Sequence, residues 1–151
     1  GKLTARRNKL EIKVSWVGNA AFEGESSSGH KVLMDGPIEG GGHDLGPRPM
    51  EMLLLGTGGC SSYDVISILK KARQKVSGCE AIISSERADN EPKIFTKIHI
   101  LFKISGTNLK EKQVERAVSL SAEKYCSASI MLGATANITH EYEIFQVEET
   151  T

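Results

Sequence analysis

Net charge is the first thing this chain lacks. Its 19 lysines and arginines are matched by 19 aspartates and glutamates, so no overall field gathers nucleic acid or anionic lipid, and recognition by bulk charge is excluded. The local exception is the cluster Lys2, Arg6, Arg7 and Lys9. That segment has no apolar core of the kind a signal peptide needs, and no stretch is read as reaching the length that spans a bilayer. The expectation is a cytoplasmic protein with no nucleic-acid or membrane partner. Cysteine is scarce too: Cys60, Cys79 and Cys126 stand far apart, which gives no disulfide framework and no CxxC zinc pair. In a reducing compartment they are free or redox-active thiols. His30, His43, His99 and His140 are scattered without ligand spacing, so neither a metal site nor an organic cofactor is expected. Repeats and low-complexity segments are also missing. At 151 residues the chain suits one domain, with residues 1–10 read as an N-terminal extension and 11–151 as the domain.

What the chain does have is one long apolar stretch, Pro49 to Ser77. Met50, Met52, Leu53, Leu54, Leu55, Val65, Ile66, Ile68 and Leu69 make its first two thirds apolar nearly all round, the pattern of a core helix. Pro49 suits the first turn; Lys70, Lys71, Arg73 and Lys75 suit the last turns, with Gly78 as the stop. Gly56, Gly58 and Gly59 precede Cys60, each costing about 1 kcal/mol against alanine in an isolated helix. Packing must compensate. One small sheet cannot cover so apolar a helix, so an obligate homodimer is expected.

Around this helix the chain reads as strands. Glu11–Val17 alternates Ile12, Val14 and Trp16 against Lys13 and Ser15, and turns at Gly18-Asn19 and Ser27–Gly29 lead to Ala20–Ser26 and His30–Asp35, a three-stranded meander. The glycine-rich Gly36–Arg48 is predicted to be the most mobile internal loop. Cys79–Arg87 and Ile94–Ser105 are two further strands; in the second, Ile98, Ile100, Phe102 and Ile104 alternate with Lys97, His99 and Lys103. Asn108 with Glu111 caps a helix carrying Val114, Ala117, Val118 and Ser121 at helical spacing. Lys110, Glu111, Lys112, Glu115, Arg116, Glu123 and Lys124 make its solvated face. Ser127–Gly133 is a short apolar helix or turn, and Asn137–Val147 a closing strand. The order βββ-α-ββ-α-β predicts an α+β fold with helices on one face of a mainly antiparallel sheet.

A lone cysteine on an apolar helix is ordinarily a small inert hydrophobe. Cys60 differs in standing beside glycines, and Cys126 stands at a helix end next to Lys124 and Tyr125. If the two meet, they form the pair that thiol peroxidase chemistry requires, one thiolate attacking peroxide oxygen and the other condensing with the sulfenic acid. Tyr63 and Asp64 lie close enough in sequence to hydrogen-bond near such a site; a polar seam at a dimer contact is their simpler reading.

PMEMLLLGTGGCSSYDVISIL, SAEKYCSASIML and NITHEYEIF together resemble the family of osmotically induced protein C (OsmC) and the organic hydroperoxide resistance proteins (Ohr), most closely its YhfA-like branch, over about Lys13 to Val147. The resemblance implies the OsmC-like α+β fold, an intertwined homodimer with long helices at its centre, and reduction of a hydroperoxide substrate at the expense of a thiol reductant. It matches Cys60 to the peroxide-attacking cysteine and Cys126 to the resolving one, leaving Cys79 structural. Members place a glutamate ten residues before the reactive cysteine, where it orients an arginine beside the thiolate. Met50 occupies that position here, and Glu51, about 100° further round a helix, is assigned the supporting role; Arg48 is the nearest arginine. Without a cation or donor nearby, Cys60 would keep a pKa near or above ~8.5 in apolar surroundings. Two other functions fit the same residues. One is a binding module whose apolar cleft at the dimer interface, lined by Met50, Met52, Leu53, Ile130 and Met131, holds a small ligand; the other is general thiol-disulfide exchange.

Overall fold

In the computed structural model of the chain, residues 9–149 are described. Lys2, Arg6 and Arg7 of the basic cluster, and most of the N-terminal extension, lie outside them. The chain divides into two compact units, one ending at Leu53 and the other beginning at Leu54.

The first unit contains the expected meander, β1 (Lys13–Gly18), β2 (Ala21–Glu25) and β3 (Lys31–Met34), antiparallel in the order β1-β2-β3. Gly18 (φ 116°) and Asn19 (φ 49°) take positive φ at the first turn, where the ladder also shifts register, and the Trp16 indole N–H donates to the Asn19 carbonyl at 2.8 Å. The alternation of Ile12, Val14 and Trp16 predicted a half-buried strand. Instead these side chains are 66%, 56% and 68% exposed, because period two marks a face that requires cover without supplying it. The glycine-rich loop, predicted to be mobile, is cross-tied by Asp35. This buried carboxylate accepts the backbone N–H groups of Gly36 (2.7 Å), His43 (3.1 Å) and Leu45 (3.2 Å). Those donors, Gly36 first, hold Asp35 below the usual carboxylate range against the opposing effect of burial.

Helix α1 runs from Pro49 to Lys71. Pro49 opens it as expected, and the Glu51 carboxylate accepts the Arg48 N–H at 2.9 Å, satisfying a donor at the helix start. The predicted end at Ser77 is too late. Arg73 turns left-handed (φ 60°), and the N–H groups of Arg73 and Gln74 close onto the carbonyls of Lys70 and Leu69, each at 2.9 Å, a left-handed termination that non-glycine residues rarely adopt. Gly78 lies instead within the next strand, at a register shift. The reading that no stretch reaches bilayer-spanning length also fails at α1. The helix is 23 residues long and its most apolar 18-residue window has a mean hydropathy of 1.3, enough by length and composition to cross a membrane; core helices of soluble proteins pass the same test, so no membrane contact follows.

The second unit holds β4 (Lys75–Arg87), β5 (Phe95–Thr107) and β6 (Asn137–Gln146) in the order β4-β5-β6. The fold is α+β as predicted, but with two three-stranded sheets in place of one, and β5 pairs with β6 in parallel. The parallel pair is possible because the connection is long enough for a crossover: α2 (Glu111–Leu120), a π-helical turn (Ser121–Tyr125) and α3 (Ser127–Leu132). The predicted inward residues of β5, Ile98, Ile100, Phe102 and Ile104, are at most 1% exposed, and Val65, Leu69, Val114, Ala117 and Val118 are buried with them. Each large side chain so buried contributes about 1.5–3 kcal/mol. A Cβ on Gly58 would stand 2.8 Å from the Ile83 side chain, so this glycine lets α1 close on β4. Asn108 is not the helix cap: it takes φ 51°, and extended Lys110 precedes the helix, its N–H held by the Gln74 side-chain oxygen at 2.9 Å. The mixed-charge face of α2 is exposed, as read from the sequence.

Candidate functional site: a thiol pair beside a half-buried carboxylate

One face of α1 buries Thr57, Gly58, Ser61, Val65 and Leu69. Cys60 sits at the margin of that seam, partly exposed, with Asp64 one turn further on. Cys126 arrives from the other side of the sequence by way of the π-helical turn, where its N–H reaches back to the Ser121 carbonyl at 2.8 Å. Such turns concentrate at functional sites. The chain then extends at Cys126, whose sulfur caps α3 by accepting the Ser129 N–H at 3.4 Å. The ligating atoms of Cys60, Cys126 and Asp64 all lie within 4.8 Å of one another. Residues 66 apart in sequence thus share one site.

The two sulfurs occupy different environments. Cys126 is fully buried in a cage of serines: the Ser61 hydroxyl lies 3.1 Å from its sulfur and 3.2 Å from the Ser129 hydroxyl, and Ser121 donates to the Ser61 carbonyl at 3.2 Å. Burial alone would push its pKa up, but the donors of Ser129, Ser61 and Cys60 outweigh burial and bring the thiol below its ordinary value. For Cys60 the largest influence is the Ala128 N–H, which favours the thiolate. Burial, the hydrogen bond to Cys126 and the negative charges of Cys126 and Asp64 together overcome it, and Cys60 ends above its ordinary value. That agrees in direction with a cysteine lacking a cation. Of the two thiols, the surroundings of the buried Cys126 favour its thiolate and those of the accessible Cys60 favour its thiol.

Asp64 adds a second oddity. Its Oδ2 is shielded from solvent with no hydrogen-bond partner among the described residues, and burial raises its pKa. A pocket of about 540 Å³ opens beside it, lined by Tyr63, Asp64, Lys71, Arg116 and Tyr125 among others.

The remaining sequence candidates lie elsewhere. Cys79 stands in β4, hydrogen-bonded to Ser62 and raised by burial, outside the donor cluster and in keeping with a structural thiol. Glu51 commits its carboxylate to the Arg48 N–H, and the Arg48 guanidinium pairs with Asp44 at 2.7 Å and reaches the Gly46 carbonyl at 3.2 Å. Among the histidines, His99 bonds Thr139 at 2.6 Å and Glu141 at 2.9 Å, and His140 stacks on Phe102, strand residues as read. Sequence reasoning missed the serine cage, although serines directly follow Cys60 and Cys126. Asp64, read in the sequence as able to hydrogen-bond near such a site, stands in one donor cluster with Cys60 and Cys126.

The family model described as OsmC-like protein matches residues 41–141. The chain is 50% identical over 135 residues to Protein YhfA of Escherichia coli strain K12, which covers 89% of this chain and 98% of that protein. Among solved structures, a hypothetical protein from Aquifex aeolicus VF5 is 33% identical with a TM-score of 0.82, over 93% of this chain and 99% of that one. The organic hydroperoxide resistance protein OhrB of Bacillus subtilis shares the fold at 15% identity, with a TM-score of 0.61 over 89% of this chain and 98% of its own. The chain belongs to the OsmC-like protein family, which includes hydroperoxide resistance proteins.

Proposed function

We propose that this protein is a cysteine-based peroxidase that reduces organic hydroperoxides, with Cys60 attacking and Cys126 resolving. The observation that carries the reading is the meeting of these two sulfurs in one site, one accessible and one buried. The accessible sulfur must meet the substrate. Cys60 gives up its proton, which the departing alkoxide later takes, and the Ala128 N–H supports the Cys60 thiolate that forms. Attack on the outer peroxide oxygen breaks the O–O bond, gives sulfenic acid on Cys60 and releases an alcohol once the alkoxide takes a proton. The Cys126 thiol then displaces water and closes a disulfide, which an external thiol reductant reopens. The sum is two thiols and a hydroperoxide to a disulfide, an alcohol and water.

One equivalent of cumene hydroperoxide should yield the 60–126 disulfide with Cys79 free, read by peptide mapping. Cys126→Ser should accumulate sulfenic or sulfinic acid at Cys60. A disulfide through Cys79, or no oxidation at Cys60, overturns the reading. The pocket beside Asp64 favours a second reading, a module that binds a small ligand without turnover; an inert Cys60 with ligand retained in that pocket would select it.

We also infer that the working unit is a homodimer. Val14, Trp16, Leu53 and Leu55 are exposed, only 22% of the most apolar part of α1 is buried, and Gly56 and Gly59 face open space. Light scattering at low micromolar concentration should give twice the chain mass, and a folded monomer would refute it.

A further inference from the structure

We propose that Cys60, Cys126 and Asp64 form a binding site for one thiophilic divalent cation, with Zn²⁺ as the best match. Zinc takes thiolate sulfur at ~2.3 Å and carboxylate oxygen at ~2.0–2.2 Å, and open sites use three protein ligands with a fourth position left for water or substrate. Two sulfurs on one such ion lie roughly 4 Å apart by that bond length. The three donor atoms here, already within 4.8 Å of one another, need only side-chain adjustment.

Two further observations point the same way. The Asp64 Oδ2 is shielded and has no hydrogen-bond partner among the described residues, a cost of about 1–3 kcal/mol for an unmet polar group, and a metal bond would answer it. The Cys126 sulfur is held by the Ser61 hydroxyl and the Ser129 N–H, the kind of outer contact that orients a metal ligand. Binding replaces the thiol protons with the ion, so it releases protons and strengthens as pH rises. The inference stands apart from the peroxidase reading, since a protein that binds zinc and ignores hydroperoxides would leave it intact. If both hold, a bound ion occupies both thiols and silences turnover.

The test uses the whole reduced chain under anaerobic conditions. Zn²⁺ is titrated against a chromophoric chelator, and Co²⁺ reports its ligands by a thiolate charge-transfer band and the intense visible bands of tetrahedral coordination. One ion per chain, a thermal stabilisation that grows with Zn²⁺, and unchanged binding in Cys79→Ser are expected. Asp64→Asn, nearly isosteric, should weaken Zn²⁺ at least tenfold, and Cys60→Ser at its partly exposed position should lose about half the charge-transfer intensity. The proposal is overturned by no complex at micromolar Zn²⁺, by Asp64→Asn binding as tightly as the parent, or by loss of the ion in Cys79→Ser. Should Asp64→Asn fail to fold, the Cys60→Ser spectrum still decides: an unaltered band means that Cys60 is no ligand.

Discussion

The two sheets begin from the same sequence rule and end differently. In β5 the alternating Ile98, Ile100, Phe102 and Ile104 are sealed to within 1%, covered by helices from the same unit. In the first unit, Ile12, Val14 and Trp16 alternate just as regularly and remain more than half exposed. Period-two patterning thus reports that a face requires cover and is silent on what covers it. For the first sheet we assign the cover to a second copy of the chain, and the difference can be tested from its strongest consequence downward.

Phe102→Ala should be the most damaging change, because it empties a fully buried site in the centre of β5 and should cost about 3–5 kcal/mol, read from the urea midpoint at constant slope. Trp16→Ala, at a site 68% exposed, would cost a free monomer well under 1 kcal/mol by the usual behaviour of surface positions. If a second copy covers it, the same substitution should shift the protein toward monomer in light scattering by roughly tenfold or more, as loss of a buried interface tryptophan does. Equal stability and equal mass for Trp16→Ala and its parent would leave the first sheet's exposure as its final state.

The contrast also explains what could be read in advance. Patterns repeating every two or nearly four residues located six strands and the main helices, since burial acts on the chain's own periodicity. The pairing of Cys60 with Cys126 came from family resemblance, because no spacing rule brings together residues in different helices. What escaped prediction rests on single backbone choices. Arg73 adopts a left-handed conformation where Gly78 looked the better stop, and Lys110, not Asn108, precedes α2. The π-helical turn that delivers Cys126 and the serines around its sulfur leave no periodic trace. Asp64 was visible as a residue and not as a problem; only its unpartnered oxygen gives it one.

A smaller effect belongs to the start of α1. Glu51 accepts the Arg48 N–H at 2.9 Å, a contact that is both a cap and a charge at the positive end of the helix. Glu51→Gln should lower stability by about 0.5–1 kcal/mol. Its effect on Cys60 separates two roles: a supporting residue slows thiol alkylation across the pH range, whereas a cap alone leaves that profile superimposed on the parent's.

The finest probe lies on the inner face of the second sheet, where β6 places His140. His140 pairs in register with Ile100 and stacks on Phe102 at 6.3 Å between ring centroids, and its Nε2 is shielded without a hydrogen-bond partner among the described residues. Burial first, and the nearby His99 second, lower its pKa below the ordinary 6.5. The unfolded chain, with His140 free, takes up the proton first as pH falls. Stability is therefore complete above pH 6.5, declines as pH drops below that value, and levels off once the folded state can also protonate. Denaturation midpoints between pH 8 and 5 should show this decline, and His140→Leu should remove its share, flattening the curve in that window while keeping the stacking surface apolar. An unaltered pH slope in the variant would mean that the ring is solvated in the folded protein, and that the second sheet is less completely sealed than the first comparison requires.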